Sequence, residues 1–269
     1  MKRVKFVIMA GLLVCVCGIA NAAMVHQYTF NTDNQAEDLV GTADLTLNGT
    51  ASVSGGALVL PGGGTRVNNA SATGAALTEL ASTINGTDAL TIEIWFTQSE
   101  THDWSKLFMA GSGAETNYMD ITPRRGNDGN VSSCSCRNGT EVNVKTPGDP
   151  ISNNQPYYMA CVWDETNEQL SIYRAQAGNM ASAVTATTSW TGGDLAALVF
   201  NEFYLGSAVY FGDGDYVGQI DEFRIYDTAL SASEMEASLT AGPTVVPEPA
   251  TLAILGLGTL LIGRRKRIA

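Results

Sequence analysis

The sequence predicts an all-β fold: a two-sheet antiparallel sandwich with one short C-terminal helix, followed by a separate C-terminal membrane helix. Three observations carry this expectation. Residues 89–97 alternate, with Leu90, Ile92, Ile94 and Phe96 on one face and Thr91, Glu93, Trp95 and Thr97 on the other, the period of a half-buried strand. Asn-Gly steps at Asn48-Gly49, Asn85-Gly86 and Asn138-Gly139 punctuate the chain, and Asn-Gly is the strongest short turn signal. Helical periodicity is almost absent outside one late segment, and many short strands with regular turns build sandwiches.

The elements follow in chain order. Lys2, Arg3 and Lys5, the apolar run 6–19 and Ala20-Asn21-Ala22 have the three-part pattern of a secretory signal peptide over residues 1–22. An N-terminal anchor is the other reading, but the small-residue step sits where cleavage should occur. Cys15 and Cys17 follow Val14 and Val16, not the small residue that lipidation needs. Strands are expected at 57–60, 89–97, 106–111, 141–145, 157–163, 169–174 and 203–206, with the turn "DETNE" joining 157–163 to 169–174. In "GQIDEFRIY" Ile220 has the opposite parity to Phe223 and Ile225. Either a β-bulge at Asp221-Glu222 resets the register, or Ile220 packs on the other face. Ser231 and Glu234 form a capping box with Leu230 and Met235 at staple spacing, so a short helix ends the domain before Gly242-Pro243.

The domain thus spans 23–242, with a linker at 243–247 and a tail at 246–269. The tail has Val246-Pro247-Glu248-Pro249, an uncharged apolar run to Gly263, and Arg264, Arg265, Lys266 and Arg267. Fourteen helical residues reach only ~21 Å, short of the ~30 Å of a bilayer core. It is a marginal span, so a permanent anchor is only one reading of it.

Composition excludes several classes. The chain has 269 residues, 45% hydrophobic and 16% charged, with 8 Pro, which is globular rather than disordered. Between Ala23 and Pro247 eight Lys and Arg face 26 Asp and Glu, a net of −18. So acidic a surface repels phosphate backbones and excludes nucleic-acid binding. It offers oxygen ligands for Ca²⁺, or serves plain solvation. Cys134, Cys136 and Cys161 remain after processing, and an oxidising compartment permits disulfides. Cys134 and Cys136 would share a strand face about 6.5 Å apart, at the upper end of disulfide reach, so Cys161 is expected to bond one of them. His26 and His102 are isolated, so a zinc site is not expected. Asp213 and Asp215 in "GDGDY" form either a Ca²⁺ ligand pair or a solvated acidic turn. Trp104, Trp190, Tyr210 and Phe211 lie near polar or Gly-rich stretches and either stack on sugar rings or pack in the core. No Glu-x-Asp-x-x-Glu run supplies the paired carboxylates of a retaining glycosidase, and no His-based nucleophile stands out. A non-enzyme is expected.

"YVGQIDEFRIYDTALSASEM", "LTIEIWF", "PYYMACVWDETNEQLSIY" and the opening "YTFNTDNQAEDLVGTADLTLNG" together resemble the laminin G-like, concanavalin A-like jelly-roll family over 25–239. The resemblance implies a Ca²⁺ site joining Asp38, in the turn Asp38–Gly41, to Asp221, although the turn departs from the family pattern at 34–37 and Asp44. The tail resembles the PEP-CTERM sorting signal, which implies an exosortase-like sorting transpeptidase as partner, export, and membrane engagement through the C-terminal segment. The reading is a secreted, surface-sorted carbohydrate-binding or adhesion module associated with extracellular polysaccharide. The alternatives are a structural matrix or biofilm protein and a divergent glycoside hydrolase.

Overall fold

The computed structural model describes residues 23–62, 70–126, 128–129, 131–210 and 212–243. The expected signal peptide, the sorting residues Val246–Pro249 and Arg264–Arg267, and Phe211 lie outside them. β1 (Met24–Tyr28), β2 (Thr46–Leu47), β3 (Ser52–Ser54), β4 (Ala57–Leu60) and β5 (Ala70–Ser71) precede helix α1 (Gly74–Asn85). β6 (Ala89–Gln98), β7 (Phe108–Gly111), β8 (Asn117–Thr122), β9 (Ser133–Asn138) and β10 (Thr140–Lys145) follow. Then come β11 (Pro156–Asp164), β12 (Gln169–Gln176), β13 (Asn179–Ser189), β14 (Glu202–Leu205), β15 (Gly218–Tyr226) and helix α2 (Ala232–Ala241).

The strands form two antiparallel sheets. One has eight strands, ordered β13-β12-β11-β6-β15-β4-β3 with β1 added beside β15; the other has seven, ordered β10-β9-β8-β7-β14-β5-β2. Their inward faces make the main core, which includes Ile92, Ile94, Phe96, Phe108, Ile121, Trp163, Phe203 and Phe223. Burying each such side chain contributes about 1.5–3 kcal/mol.

The register of β15 selects the bulge. Ile220 pairs with Phe96 and Glu222 with Trp95, so Asp221 is skipped, and Ile220, Phe223 and Ile225 all reach the core. The capping box is formed: Ser231 Oγ accepts from the Glu234 N–H, and Glu234 accepts from the Ser231 N–H at 2.7 Å.

β6 departs from its half-buried expectation, because both of its faces are covered. α2 and the segment before it lie on the outer face of the eight-stranded sheet, where Leu230, Met235 and Leu239 pack on Trp95, Tyr158, Tyr173 and Tyr226. Beneath them, Arg224 Nε donates to Glu222 Oε1 at 2.6 Å, and its NH1 group lies 3.5 Å from Glu93 Oε2. Glu93 also accepts from the Tyr158 and Tyr226 hydroxyls at 2.5 and 2.9 Å. The Arg224 guanidinium stacks 4.4 Å from the Trp95 ring. Burial pushes the Glu93 carboxyl up, against the downward pull of these donors. Buried charges persist where they are paired and hydrogen-bonded in this way.

Two further expectations are corrected. Helix α1 was not foreseen: Ala76, Leu80 and Ile84 make a buried stripe at four-residue spacing, but its N-cap Thr73 makes no side-chain cap bond and its first turn holds no acid. Asn85-Gly86 therefore ends a helix, whereas Asn138-Gly139 does turn β9 into β10. The expected disulfide is not formed. Cys134, Cys136 and Cys161 are free and buried, and the Cys134 thiol donates to the Ser171 carbonyl at 3.6 Å. Cys134 does lie beside Cys161, across the sandwich rather than across a strand pair. Burial pushes its thiol well up and that of Cys136 to about 12, which withholds the thiolate needed for exchange.

Candidate functional site

The polar constellation sits on the outer face of the seven-stranded sheet. Phe108, Met119, Ile121, Cys134 and Cys136 point into the core, so strand alternation turns Met109, Tyr118, Asp120, Thr122, Ser133 and Ser135 outward. All six are nonetheless buried. Met109 and Tyr118 pack against Ala208 and Val209, so the β14–β15 segment folds over this face.

Lys106, just before β7, is the hub. Its ammonium lies 2.8 Å from Asp120 Oδ2 and 3.3 Å from Asp213 Oδ2, and donates to Thr122 Oγ1 at 3.1 Å. Burial pulls its pKa down, but Asp120 and Asp213 outweigh burial and hold it above the usual value. Tyr210 donates to Asp213 Oδ2 at 3.1 Å, and its ring lies 5.8 Å from that of Tyr118. Burial, then Asp213, pushes the Tyr210 hydroxyl far up, so it stays a donor.

Trp104 forms the rim. Its φ of 64° is in the left-handed region, which non-glycine residues seldom occupy, and its N–H is held by the Arg124 carbonyl at 2.9 Å. Arg125 stacks 4.9 Å from its ring and Lys106 lies 5.9 Å from it. Gly126 permits this approach, since a Cβ there would sit 2.7 Å from Trp104 Nε1. Arg125 in turn binds Asp128 and Glu141, each at 3.0 Å.

The expected site residues therefore divide. Trp104, Tyr210 and Asp213 are brought together through Lys106. Asp215 supports the same loops: it accepts from Ser207 at 2.9 Å, and its carbonyl meets His102 Nδ1 at 3.0 Å. Trp190 is corrected from ring platform to core residue, being 5% exposed and packed over Gly193. Lys106 and Asp120 were missed, although the alternation of Tyr118, Asp120 and Thr122 with Met119 and Ile121 was a usable signal.

The acids expected as Ca²⁺ ligands sit in three different surroundings. Asp38 Oδ1 accepts from the amides of Gln27, Val40 and Gly41 at 3.1, 3.2 and 3.0 Å. Its Oδ2 meets His26 Nδ1 at 2.6 Å and the Ala43 amide at 3.2 Å. Burial pushes this carboxyl up, but His26 and the amides outweigh it and bring it down to about 2. Asp221 instead lies in the β15 bulge near Tyr216, and burial pushes its carboxyl to about 6. Asp213 is bound to a lysine and a tyrosine. Among the described residues the one grouping with metal-ligand geometry is His26, Asp38 and Glu79, whose donor atoms lie within 4.8 Å of one another. Those atoms crowd around Gly41, where a Cβ would come within 2.5 Å of Asp38 Oδ2 and 2.7 Å of His26 Nδ1.

Fold and motif agree with the comparisons. The chain belongs to the concanavalin A-like lectin/glucanases superfamily, matched over residues 69–236. Residues 245–267 match the PEP-CTERM protein-sorting motif, which marks export and surface sorting by an exosortase-type system. Among solved structures, domain 4 of AbnA, an extracellular GH43 arabinanase from Geobacillus stearothermophilus bound to arabinotriose, is similar at 20% identity. It has a TM-score of 0.56 and the match covers 80% of this chain and 97% of that one. The CBM40 of the Ruminococcus gnavus IT-sialidase, bound to α2,3-sialyllactose, is similar at 16% identity and TM-score 0.48, covering 57% and 83%. No curated protein matches. Among the described residues no helix is long and apolar enough to cross a membrane.

Proposed function

We propose that this chain is an exported, surface-sorted, non-catalytic module that binds carbohydrate on the outer face of its seven-stranded sheet. One observation carries the reading: two half-exposed aromatic rings, Trp104 and Tyr210, border a floor of polar groups made by the buried Lys106 and Asp120 and the half-buried Asp213. Aromatic faces beside fixed hydrogen-bonding groups suit a sugar's apolar ring face and hydroxyls. The face also lies opposite the sheet that carries α2, after which the chain continues into its sorting segment. A bound glycan and a membrane-engaged tail would therefore not compete for one surface.

The carboxylates favour binding over catalysis. A retaining glycosidase needs two carboxyls free to flank the scissile bond, whereas Asp120 and Asp213 are both committed to the Lys106 ammonium. Glu93 has a raised pKa but is enclosed beneath α2. An adhesion or matrix role would follow from the same binding face.

A glycan array probed with the full chain tests this. Binding is expected, and Trp104→Ala should weaken it roughly ten-fold, the order of one well-placed ring contact. Trp190→Phe should leave it unchanged. A blank array, or equal loss in both variants, would sink the proposal.

A further inference from the structure

The unmet hydrogen bonds of this face and its partly exposed carboxylate bear on the class of sugar, an inference that rests on the carbohydrate-binding reading above. The Lys106 ammonium has three N–H donors, and Asp120, Thr122 and Asp213 take all three. The neighbouring cations are also engaged: Arg124 with Asp103, Arg125 with Asp128 and Glu141, Lys145 with Asp128. Arg137, outward on the same face beside Tyr118, donates to the Gly139 carbonyl, so five cations stand with five carboxylates and the face itself is balanced, within a domain of net −18.

Among the described residues no donor reaches Asp120 Oδ1, although the residue is 2% exposed. Ser133 Oγ, on the adjacent strand one diagonal step away, is likewise buried without a partner. A buried carboxylate oxygen lacking a donor is costly, and its requirement is a proton, not a negative charge. A sugar hydroxyl supplies that proton directly or through one ordered water. A sugar carboxylate would instead meet Asp213, whose side chain is 17% exposed over the hub, while the Lys106 ammonium is already taken by Asp120, Thr122 and Asp213.

We propose that the face formed by Trp104, Lys106, Asp120, Ser133, Tyr210 and Asp213 is selective for uncharged, hydroxyl-donating sugars and discriminates against uronates and sialosides. Asp120 is the acceptor that reads a ligand hydroxyl, and Asp213 is the gate that repels an anion.

Calorimetric titration of the full chain with matched trisaccharides tests the assignment. The gluco, galacto and manno series are used, each as the neutral sugar and as its uronate, with sialyllactose as a further acidic probe. At least one neutral sugar should bind, with its uronate roughly ten-fold weaker or more, since like-charge juxtaposition is strongly unfavourable. Asp213→Asn, at a partly exposed position, should keep the fold and shrink that ratio several-fold. Asp120→Asn should weaken the neutral sugar itself. Equal or tighter binding of the acidic partners would overturn the selectivity while leaving carbohydrate binding intact. No binding by any probe would overturn both. Neutral preference with a ratio unmoved by Asp213→Asn would remove the selectivity from this face.

Discussion

Replacing Asp221 by Asn tests how the β15 bulge handles a charge. The skipped residue is half-buried, and burial raises its carboxyl from 3.8 to about 6, with only its own backbone N–H pulling the other way. The folded state therefore holds this proton more tightly than the unfolded chain does. Its stabilising contribution is complete below about pH 4 and is lost as pH rises through about 6. The rise from 3.8 to about 6 corresponds to at most about 3 kcal/mol, since a tenfold change in proton affinity is worth ~1.4 kcal/mol. Partial solvent contact screens this to about 1–2 kcal/mol. Asn cannot ionise, so Asp221→Asn should be about 1–2 kcal/mol more stable than the parent at pH 7.5 and equal to it at pH 4. Urea melts at both pH values measure this. Parallel pH profiles, or a variant less stable at pH 7.5, would refute the reasoning. Repeating the melts with Ca²⁺ addresses the expected metal: an Asp221 ligand would let Ca²⁺ stabilise the parent and not the variant.

Three other outcomes follow from the geometry. Glu93→Ala should destabilise by about 3–5 kcal/mol, because it removes one of the two carboxylates paired with the buried Arg224 guanidinium and strands the Tyr158 and Tyr226 hydroxyls; an unchanged thermal midpoint would contradict the network's role. Asp38, brought down to about 2, contributes stability above the ordinary carboxylate range that is lost as pH falls through about 2. Asp38→Asn should flatten the acid limb between about pH 4 and 2, as followed by circular dichroism. Cys134, Cys136 and Cys161 should resist iodoacetamide in the folded chain and all react in urea, and peptide mass mapping that finds a bridged pair would contradict the reduced core.

Much of the fold was written in local pattern. The alternation of Leu90 to Phe96 set the central strand, the parity change after Ile220 marked a place for the bulge, and Ser231 with Glu234 marked the start of α2. Each signal is carried by neighbours in sequence. What escaped depends on tertiary partners. Glu93 and Trp95 looked solvent-facing because the helix that covers them lies more than a hundred residues later. Helix α1 lacks charged or capped ends, so only its apolar spacing could reveal it. The candidate face was half legible: Trp104, Tyr210 and Asp213 stood out by residue type, whereas Lys106 and Asp120 gained meaning once β7 and β8 set them side by side. Trp190 misled for the opposite reason, since Gly193 makes room for its ring to pack inward.

Hydroxyl-radical footprinting of the full chain with and without its tightest neutral oligosaccharide tests the central claim most directly. Protection is expected at Trp104 and Tyr210 and in the segments 99–107 and 206–216. The competing location is the 270 Å³ groove between α2 and the β12–β13 edge, lined by Tyr173, Thr185, Thr187 and Met235. Protection there, with Trp104 and Tyr210 unchanged, would contradict the account.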